Sequence, residues 1–128
     1  MQYLLDTHVL IWWITSDKRL SAAANAIIRS HRNTLYWSAV SSWEVSIKHA
    51  LGRLNFEDAP QVLFTSELDK NHIETLSITN EHAFLAGQLP MLHKDPFDRM
   101  LVAQAQIESL GLVTNDPILQ QYDVDVFW

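Results

Sequence analysis

Cysteine is missing from this chain of 128 residues. Its absence excludes disulfide bonds, thiolate metal sites and a cysteine nucleophile, and it fits the reducing cytoplasm, where we expect the protein. No apolar run reaches the ~18 residues that a membrane-spanning helix requires, so no membrane partner is expected. Repeats, low-complexity tracts and linkers are absent as well. With 48% hydrophobic and 19% charged residues, the chain is expected to form one globular domain over residues 1–128.

Basic residues are scarce relative to acidic ones. The 9 Lys and Arg residues against 15 Asp and Glu residues give a net charge of −6, and a field of that sign repels nucleic acid. This balance disfavours passive nucleic-acid binding. It does not exclude a metal-dependent enzyme, because carboxylates gathered around divalent cations are neutralised when the cations bind.

Short β-rich segments alternate with apolar segments that favour helices. The predicted strands are residues 2–5, 34–38, 73–78, 112–114 and 124–127, and the predicted helices are residues 9–14, 21–30, 41–51, 60–68, 79–88, 96–110 and 118–122. Gly52 and Gly111 follow two of these helices, where glycine suits the end of a helix. The alternation predicts an α/β fold with a parallel central sheet of short strands, covered by helices on both faces.

Four acidic residues fall on one rim of this predicted sheet, where strands end and helices begin. Asp6 follows the first strand, Glu44 lies near the start of the helix after the second, Asp98 is in the first turn of the longest helix, and Asp116 follows the strand LVT. Open α/β sheets bind ligands at this rim. The four segments are therefore expected to bring their carboxylates to one place.

Each of these acids also has a structural interpretation. Asp6 and Asp116 could cap the helices that follow them, and Glu44 could pair with Lys48 four residues later. Jointly these interpretations weaken, because four carboxylates on one rim raise each other's pKa unless a cation stabilises their ionised forms. Oxygen ligands of this kind suit Mg²⁺ or Mn²⁺, and such ions support phosphodiester hydrolysis.

The stretch HKDPFDRMLVAQA, residues 93–105, places two aspartates around Pro-Phe at the start of the longest predicted helix. Asp95 fits the N-cap position, Pro96 the first helical position and Asp98 the first turn, where negative charge is favourable. Capping is the interpretation we favour for Asp95. For Asp98 we favour participation in the site on the rim.

The segments LLDTHVLIWW, SSWEVSIK, HKDPFDRMLVAQA and LVTNDPILQQY, in this order, resemble PIN-domain ribonucleases, specifically the VapC-type toxins of bacterial toxin–antitoxin modules. The resemblance runs from Tyr3 to Trp128. It implies a three-layer α/β/α sandwich and a Mg²⁺- or Mn²⁺-dependent endoribonuclease. By motif match its catalytic and metal-binding residues are Asp6, Glu44, Asp98 and Asp116. Asp6 and Asp98 would be the principal metal ligands, Glu44 and Asp116 would complete the site or hold water, and Thr114 and Asn115 fall where small polar residues orient the acids.

Four basic residues near the predicted rim are candidates for contacts with RNA phosphates: Lys48, Arg53, Lys94 and Arg99. Solvated helix surface is an equally good interpretation of them, and none of the six histidines is assigned a role. The resemblance also implies two protein partners. These are a second copy of the chain, forming a homodimer, and a cognate antitoxin whose C-terminal segment lies in a hydrophobic groove.

Other functions fit the sequence less well. A receiver-like signalling domain needs adjacent acids after the first strand and a late lysine, whereas the first strand here is followed by Asp-Thr-His and no lysine follows LVT. A phosphatase with a DxD nucleophile motif fails for the same reason. A non-catalytic binding module is disfavoured by the intact acidic quartet. An RNA-processing PIN nuclease without an antitoxin remains the main alternative.

Overall fold

The computed structural model describes residues 1–128, and its centre is a five-stranded sheet. The strands are β1 (Gln2–Leu5), β2 (Thr34–Ser38), β3 (Glu74–Leu76), β4 (Gly111–Val113) and β5 (Val126–Phe127). Their order across the sheet is β3-β2-β1-β4-β5, and each strand is parallel to its neighbours. The predicted parallel sheet of short strands is confirmed.

Six helices and a short 3-10 helix connect the strands. They are α1 (Thr7–Ile14), α2 (Ala22–Arg29), α3 (Ala39–Ala50), α4 (Pro60–Lys70), α5 (Asn80–Gln88), α6 (Pro96–Glu108) and the 3-10 helix Leu119–Gln121. The predicted caps of α2 and α5 are confirmed, since Ser21 accepts the N–H of Ala24 and Thr79 that of His82. No helix combines the length and the apolar character needed to cross a membrane.

The two faces of the sheet each carry an apolar core. In β1, Tyr3 and Leu5 pack into one cluster and Leu4 into the other, because successive side chains of a strand point to opposite faces. The first cluster takes residues from α1, α2 and α4, and the second from α5 and α6. The result is the predicted α/β/α sandwich.

The edge strands β3 and β5 are shorter than predicted, and two further features differ from the predictions. The helix α6 ends at Glu108 and its C-cap is Ser109, which has a left-handed backbone with φ 55° and ψ 48°, so Gly111 does not close it. Gly111 instead begins β4, where an added Cβ would lie 2.6 Å from the Phe127 ring. The segment predicted as a helix at 118–122 forms only the 3-10 helix. By contrast Gly52, with φ 74°, follows α3 as predicted.

The topology places a crevice between β1 and β4. From β1 the chain moves outward through β2 and β3, and it then returns to the other side of β1 at β4. Ligands of open α/β sheets bind at such a reversal, outside the carboxyl ends of the strands. Asp6 follows β1 at this point, and its backbone N–H donates to the carbonyl of Val113 at 2.9 Å.

Candidate active site

Asp6 and Thr114 lie side by side at the ends of β1 and β4, and both are buried. The Thr114 hydroxyl donates to Oδ2 of Asp6 at 2.6 Å and accepts the backbone N–H of Asp116 at 3.1 Å. It therefore orients the Asp6 carboxylate and the turn that carries Asp116. Oδ1 of Asp6 is buried without a hydrogen-bond partner. Asp6 occupies the N-cap position of α1 but its side chain caps nothing, so the capping interpretation of Asp6 is wrong.

Glu44 faces the same crevice from α3 and is only 2% exposed. Its Oε2 accepts a hydrogen bond from Nζ of Lys48, so the predicted pair with Lys48 exists. Its Oε1 is buried and has no partner. Burial raises the pKa of Asp6, and the negative charge of Glu44 adds to the rise. The hydrogen bond from Thr114 lowers the pKa of Asp6 and so offsets part of it. The helix α3 is tied to α1 by the Thr7 hydroxyl, which donates to the Ser41 hydroxyl at 2.7 Å.

Asp98 enters from the first turn of α6. Asp95 caps this helix as predicted, because its Oδ1 accepts the N–H groups of Phe97 at 2.8 Å and Asp98 at 3.3 Å. Burial is the largest cause that raises the pKa of Asp98, and four neighbouring carboxylates, on Asp6, Asp95, Glu44 and Asp116, add to the rise, which brings the pKa to about 8. The charges of the three other acids predicted on the rim therefore act on the carboxyl group of Asp98. The fold brings the whole quartet together.

Asp116 closes the site from the turn after β4. Its Oδ1 accepts the N–H of Ile118 at 2.9 Å, so it also makes the local turn contact expected of a cap. Its Oδ2 lies 2.9 Å from Nε2 of His93, which is in turn 3.1 Å from Oδ2 of Asp98. One ligand atom from each of these three side chains lies within 4.8 Å of the other two.

The residues of this site fit a divalent cation. Asp6 and Glu44 each present a buried carboxylate oxygen without a partner, and such an atom costs about 1–3 kcal/mol when it stays unsatisfied. Burial and four neighbouring carboxylates disfavour the ionised form of Asp98 and raise its pKa. A cation between these oxygens would supply both the partner and a balancing positive charge. Carboxylate oxygens are the donors that Mg²⁺ and Mn²⁺ prefer.

The four basic residues predicted to contact phosphate lie in different environments. Lys48 pairs with Glu44 and keeps 25% of its side chain exposed, whereas Arg53 and Lys94 are exposed. Arg99 is buried. Its guanidinium donates to three backbone carbonyls near the end of α5, those of Ala86 at 2.7 Å and of Leu89 and Pro90 at 3.0 Å. The prediction of a phosphate contact is therefore wrong for Arg99, because the protein's own backbone occupies its donors.

The family model of the PIN domain matches residues 3–125. This chain belongs to the PIN-domain family. One relative of this PIN domain, Ribonuclease VapC22 of Mycobacterium tuberculosis, is 34% identical over 120 residues, which cover 93% of this chain and 90% of the relative. The family predicted from the motifs is confirmed.

Solved structures share the fold of this PIN domain at low sequence identity. VapBC2 from Rickettsia felis, in a crystal structure with a promoter DNA fragment, aligns with a TM-score of 0.71 and 17% identity over 99% of this chain and 98% of that one. A toxin–antitoxin complex from Klebsiella pneumoniae aligns with a TM-score of 0.65 and 16% identity over 98% and 96% of the two chains. These likenesses confirm the predicted α/β/α architecture.

His93 is the residue of the site that the sequence analysis did not assign. The chain has six histidines, and their spacing singles out none of them. The one sequence feature that could have indicated a role for His93 is its position at the start of HKDPFDR, two residues before Asp95, the N-cap of α6. A histidine there is carried towards the same rim as Asp98.

Proposed function

We propose that this PIN domain is a divalent-metal-dependent endoribonuclease that hydrolyses RNA phosphodiester bonds, and that it is the toxin of a toxin–antitoxin module. The observation that carries the proposal is the pair of buried, unpartnered oxygens on Asp6 and Glu44, which face the same crevice as Asp98 and Asp116. The relationship to a protein named as a ribonuclease supports the choice of RNA as substrate.

In this proposal the carboxylates of Asp6 and Asp98 hold Mg²⁺ (or Mn²⁺), and Glu44 and Asp116 complete the site. Such a cation, when bound, polarises the phosphate and makes water a better nucleophile. Thr114 keeps one oxygen of Asp6 engaged, which leaves the other free for ligation. Asp98 must lose its proton before it can act as a ligand, since its pKa in the metal-free protein is about 8. No serine, cysteine or histidine nucleophile is required.

We propose that Lys48, Arg53 and Lys94 contact the RNA backbone. Lys48 is the best placed of the three, because its ammonium lies against Glu44 at the site and is still partly exposed. Arg53 and Lys94 are exposed, as expected of residues that contact phosphates through their charge alone.

The test is cleavage of total cellular RNA by the purified chain in Mg²⁺ or Mn²⁺. Asp6→Asn, Glu44→Gln and Asp98→Asn remove the charge of one ligand each, and Asp95→Asn is the matched control because asparagine caps a helix as well as aspartate does. We expect discrete fragments with the wild type and Asp95→Asn, none with the other variants, and none in EDTA. A folded wild type that cuts no transfer, ribosomal or messenger RNA in either metal would contradict the proposal.

The proposed protein partners are a cognate antitoxin and a second copy of this chain. A neighbouring structure is itself a toxin–antitoxin complex, which supports the first. The second is supported by large apolar side chains on the surface, since Trp43, Phe84 and Met91 are 60%, 70% and 72% exposed and such residues are typical of protein interfaces.

Both partners can be tested in solution. Light scattering of the purified chain should give the mass of a dimer. Co-expression with a small DNA-binding protein encoded next to this chain should yield a complex that no longer cleaves RNA. If the encoded neighbour neither binds nor inhibits, the RNA-processing nuclease without an antitoxin becomes the better assignment.

A further inference from the structure

His93 is held in place between two acids of the quartet. Its Nε2 lies 2.9 Å from Asp116 and 3.1 Å from Asp98, and its backbone N–H donates to the hydroxyl of Tyr122 at 2.9 Å. The side chain is 15% exposed. By distance alone, His93 resembles a third ligand that could join Asp98 and Asp116 around a metal ion.

The other ring nitrogen argues against metal ligation. Nδ1 of His93 accepts the backbone N–H of Asp95 at 3.1 Å. A neutral imidazole carries one proton, so this contact places the proton on Nε2. Nε2–H then donates to the carboxylate of Asp116, and the carboxylate of Asp98 lies beside it at 3.1 Å. A histidine that binds metal through Nε2 needs the opposite arrangement, with Nδ1–H donated to an acceptor.

The donor that faces Nδ1 is part of a rigid element. Asp95 is the N-cap of α6, and its carboxylate is fixed by the N–H groups of Phe97 and Asp98. Its own N–H, at the start of this capped turn, donates to Nδ1 of His93. Proton transfer from Nε2 to Nδ1 would place two N–H groups against each other, so the cap holds the imidazole in one tautomer.

We propose that His93 is a positioning residue: its Nε2–H holds the carboxylate of Asp116 in place beside that of Asp98, and its ring does not bind the cation. The part of this inference that concerns the cation rests on the proposed metal-dependent function. The cation would then be bound by oxygen atoms alone. Loss of the Nε2–H donor should weaken binding of Mg²⁺ by about 10–100-fold, the range found when a group that orients a metal ligand is removed.

The first measurement is the tautomer of His93, read by NMR from long-range ¹⁵N–¹H couplings in protein labelled with ¹⁵N-histidine. His93→Gln identifies the His93 signal among those of the six histidines. His82 is an internal reference, because its Nδ1 also accepts a backbone N–H, that of Thr79 at 3.1 Å. We expect the Nε2–H tautomer of His93 without metal and in saturating Mg²⁺. Transfer of the proton to Nδ1 when Mg²⁺ is added would show ligation and overturn the proposal.

The second measurement is calorimetric titration of Mg²⁺ and Mn²⁺ into the wild type and three variants. His93→Phe removes the donor and keeps a ring, whereas His93→Gln retains an N–H near the position of Nε2. His31→Gln is the control, because His31 is exposed and precedes β2 at the opposite end of the sheet. We expect a loss of about 10–100-fold in affinity for His93→Phe, a smaller loss for His93→Gln and none for His31→Gln, with folding checked by the melting temperature.

Two other results would separate this inference from the proposed function. If the wild type binds neither Mg²⁺ nor Mn²⁺, the proposed metal-dependent function is wrong. The role of His93 is then decided by its tautomer in the metal-free protein, and a proton on Nδ1 would overturn the positioning role. Unchanged metal affinity in a folded His93→Phe variant, with binding intact in the wild type, would overturn the positioning role while the metal site stands.

Discussion

At the scale of single residues, Asp98 illustrates how the fold changes the chemistry of a side chain. Its ordinary pKa of 3.8 is raised to about 8, first by burial and then by the neighbouring carboxylates. At neutral pH the metal-free protein therefore keeps a proton on a group that the site would use as an anion. Binding of a divalent cation must release that proton.

The raised pKa predicts how stability depends on pH in the metal-free protein. The folded state binds the Asp98 proton more tightly than the unfolded state, so this stabilising contribution is fully present below pH 3.8 and is lost as pH rises through about 8. One pKa unit corresponds to about 1.4 kcal/mol. In EDTA, the melting temperature of the wild type should fall relative to that of Asp98→Asn between pH 5 and pH 9.

We expect this relative fall to reach several degrees, because about 1 kcal/mol shifts the melting temperature of a domain of this size by roughly 3–5 °C. Asp125→Asn is the control, since Asp125 is exposed, directly precedes β5 and is not among the carboxylates that raise the pKa of Asp98. A difference between wild type and Asp98→Asn that stays constant over this pH range would contradict the prediction.

The sequence predicted the positions of the four acids but not the environment of their neighbours. Asp6 and Asp116 could be placed because each directly follows a strand, and Asp98 because its helix begins at a recognisable cap. Arg99 was misassigned because its partners, the carbonyls near the end of α5, are supplied by a segment about ten residues away whose path the sequence pattern does not reveal. The contacts of His93 depend in the same way on Asp116, 23 residues further along.

At the scale of the elements, the start of α6 depends on Asp95. Its side chain satisfies two N–H groups of the first turn, and Asn could do the same. We expect Asp95→Ala to lower the free energy of unfolding by about 1 kcal/mol, the usual cost of a lost cap, and Asp95→Asn to change it little. Urea denaturation of the metal-free proteins measures both. Equal losses for the two variants would show that charge, and not capping, is what Asp95 contributes.

Arg99 links α6 to the end of α5. Its guanidinium satisfies the carbonyls of Ala86 and Leu89, which accept no hydrogen bond from another side chain, and a lysine cannot reproduce this fork of donors. We expect Arg99→Lys to lower the free energy of unfolding by about 2–4 kcal/mol, since it leaves buried acceptors unsatisfied. Lys94→Met is the comparison. Lys94→Met should change the free energy of unfolding by less than about 0.5 kcal/mol, as is usual for exposed positions. In an inactive Asp6→Asn protein, the same substitution should weaken the binding of RNA.

Element boundaries were predictable where the chain itself sets them. β1 and β2 have the predicted limits, and the caps Ser21, Thr79 and Asp95 begin their helices as predicted. The lengths of the edge strands β3 and β5 were not predictable from the sequence, because a strand extends only as far as its neighbour offers hydrogen-bond partners. β5 pairs with β4 at two positions only and is correspondingly short. Gly111 was taken for a helix end because its actual constraint, the Phe127 ring, comes from this distant pairing.

At the scale of the whole molecule, the topology concentrates an unfavourable charge. The chain already carries a net charge of −6, and the reversal between β1 and β4 gathers four acids from segments spread between residues 6 and 116 in one crevice. Burial prevents water from compensating them fully. We therefore expect a divalent cation to bind the folded state, where these charges are gathered, and not the unfolded chain.

This coupling predicts that Mg²⁺ stabilises the entire fold. A ligand that binds only the folded state at 100 times its dissociation constant adds about 2.7 kcal/mol, which corresponds to roughly 10 °C in melting temperature for a chain of this length. Asp6→Asn and Asp98→Asn should lose most of that rise, and Asp125→Asn should keep it. Thermal melts in MgCl₂ are compared with melts in NaCl of equal ionic strength, because salt also screens the net charge. If Asp6→Asn gains as much from Mg²⁺ as the wild type does, the cation acts on the overall charge of the molecule and the quartet is not its site.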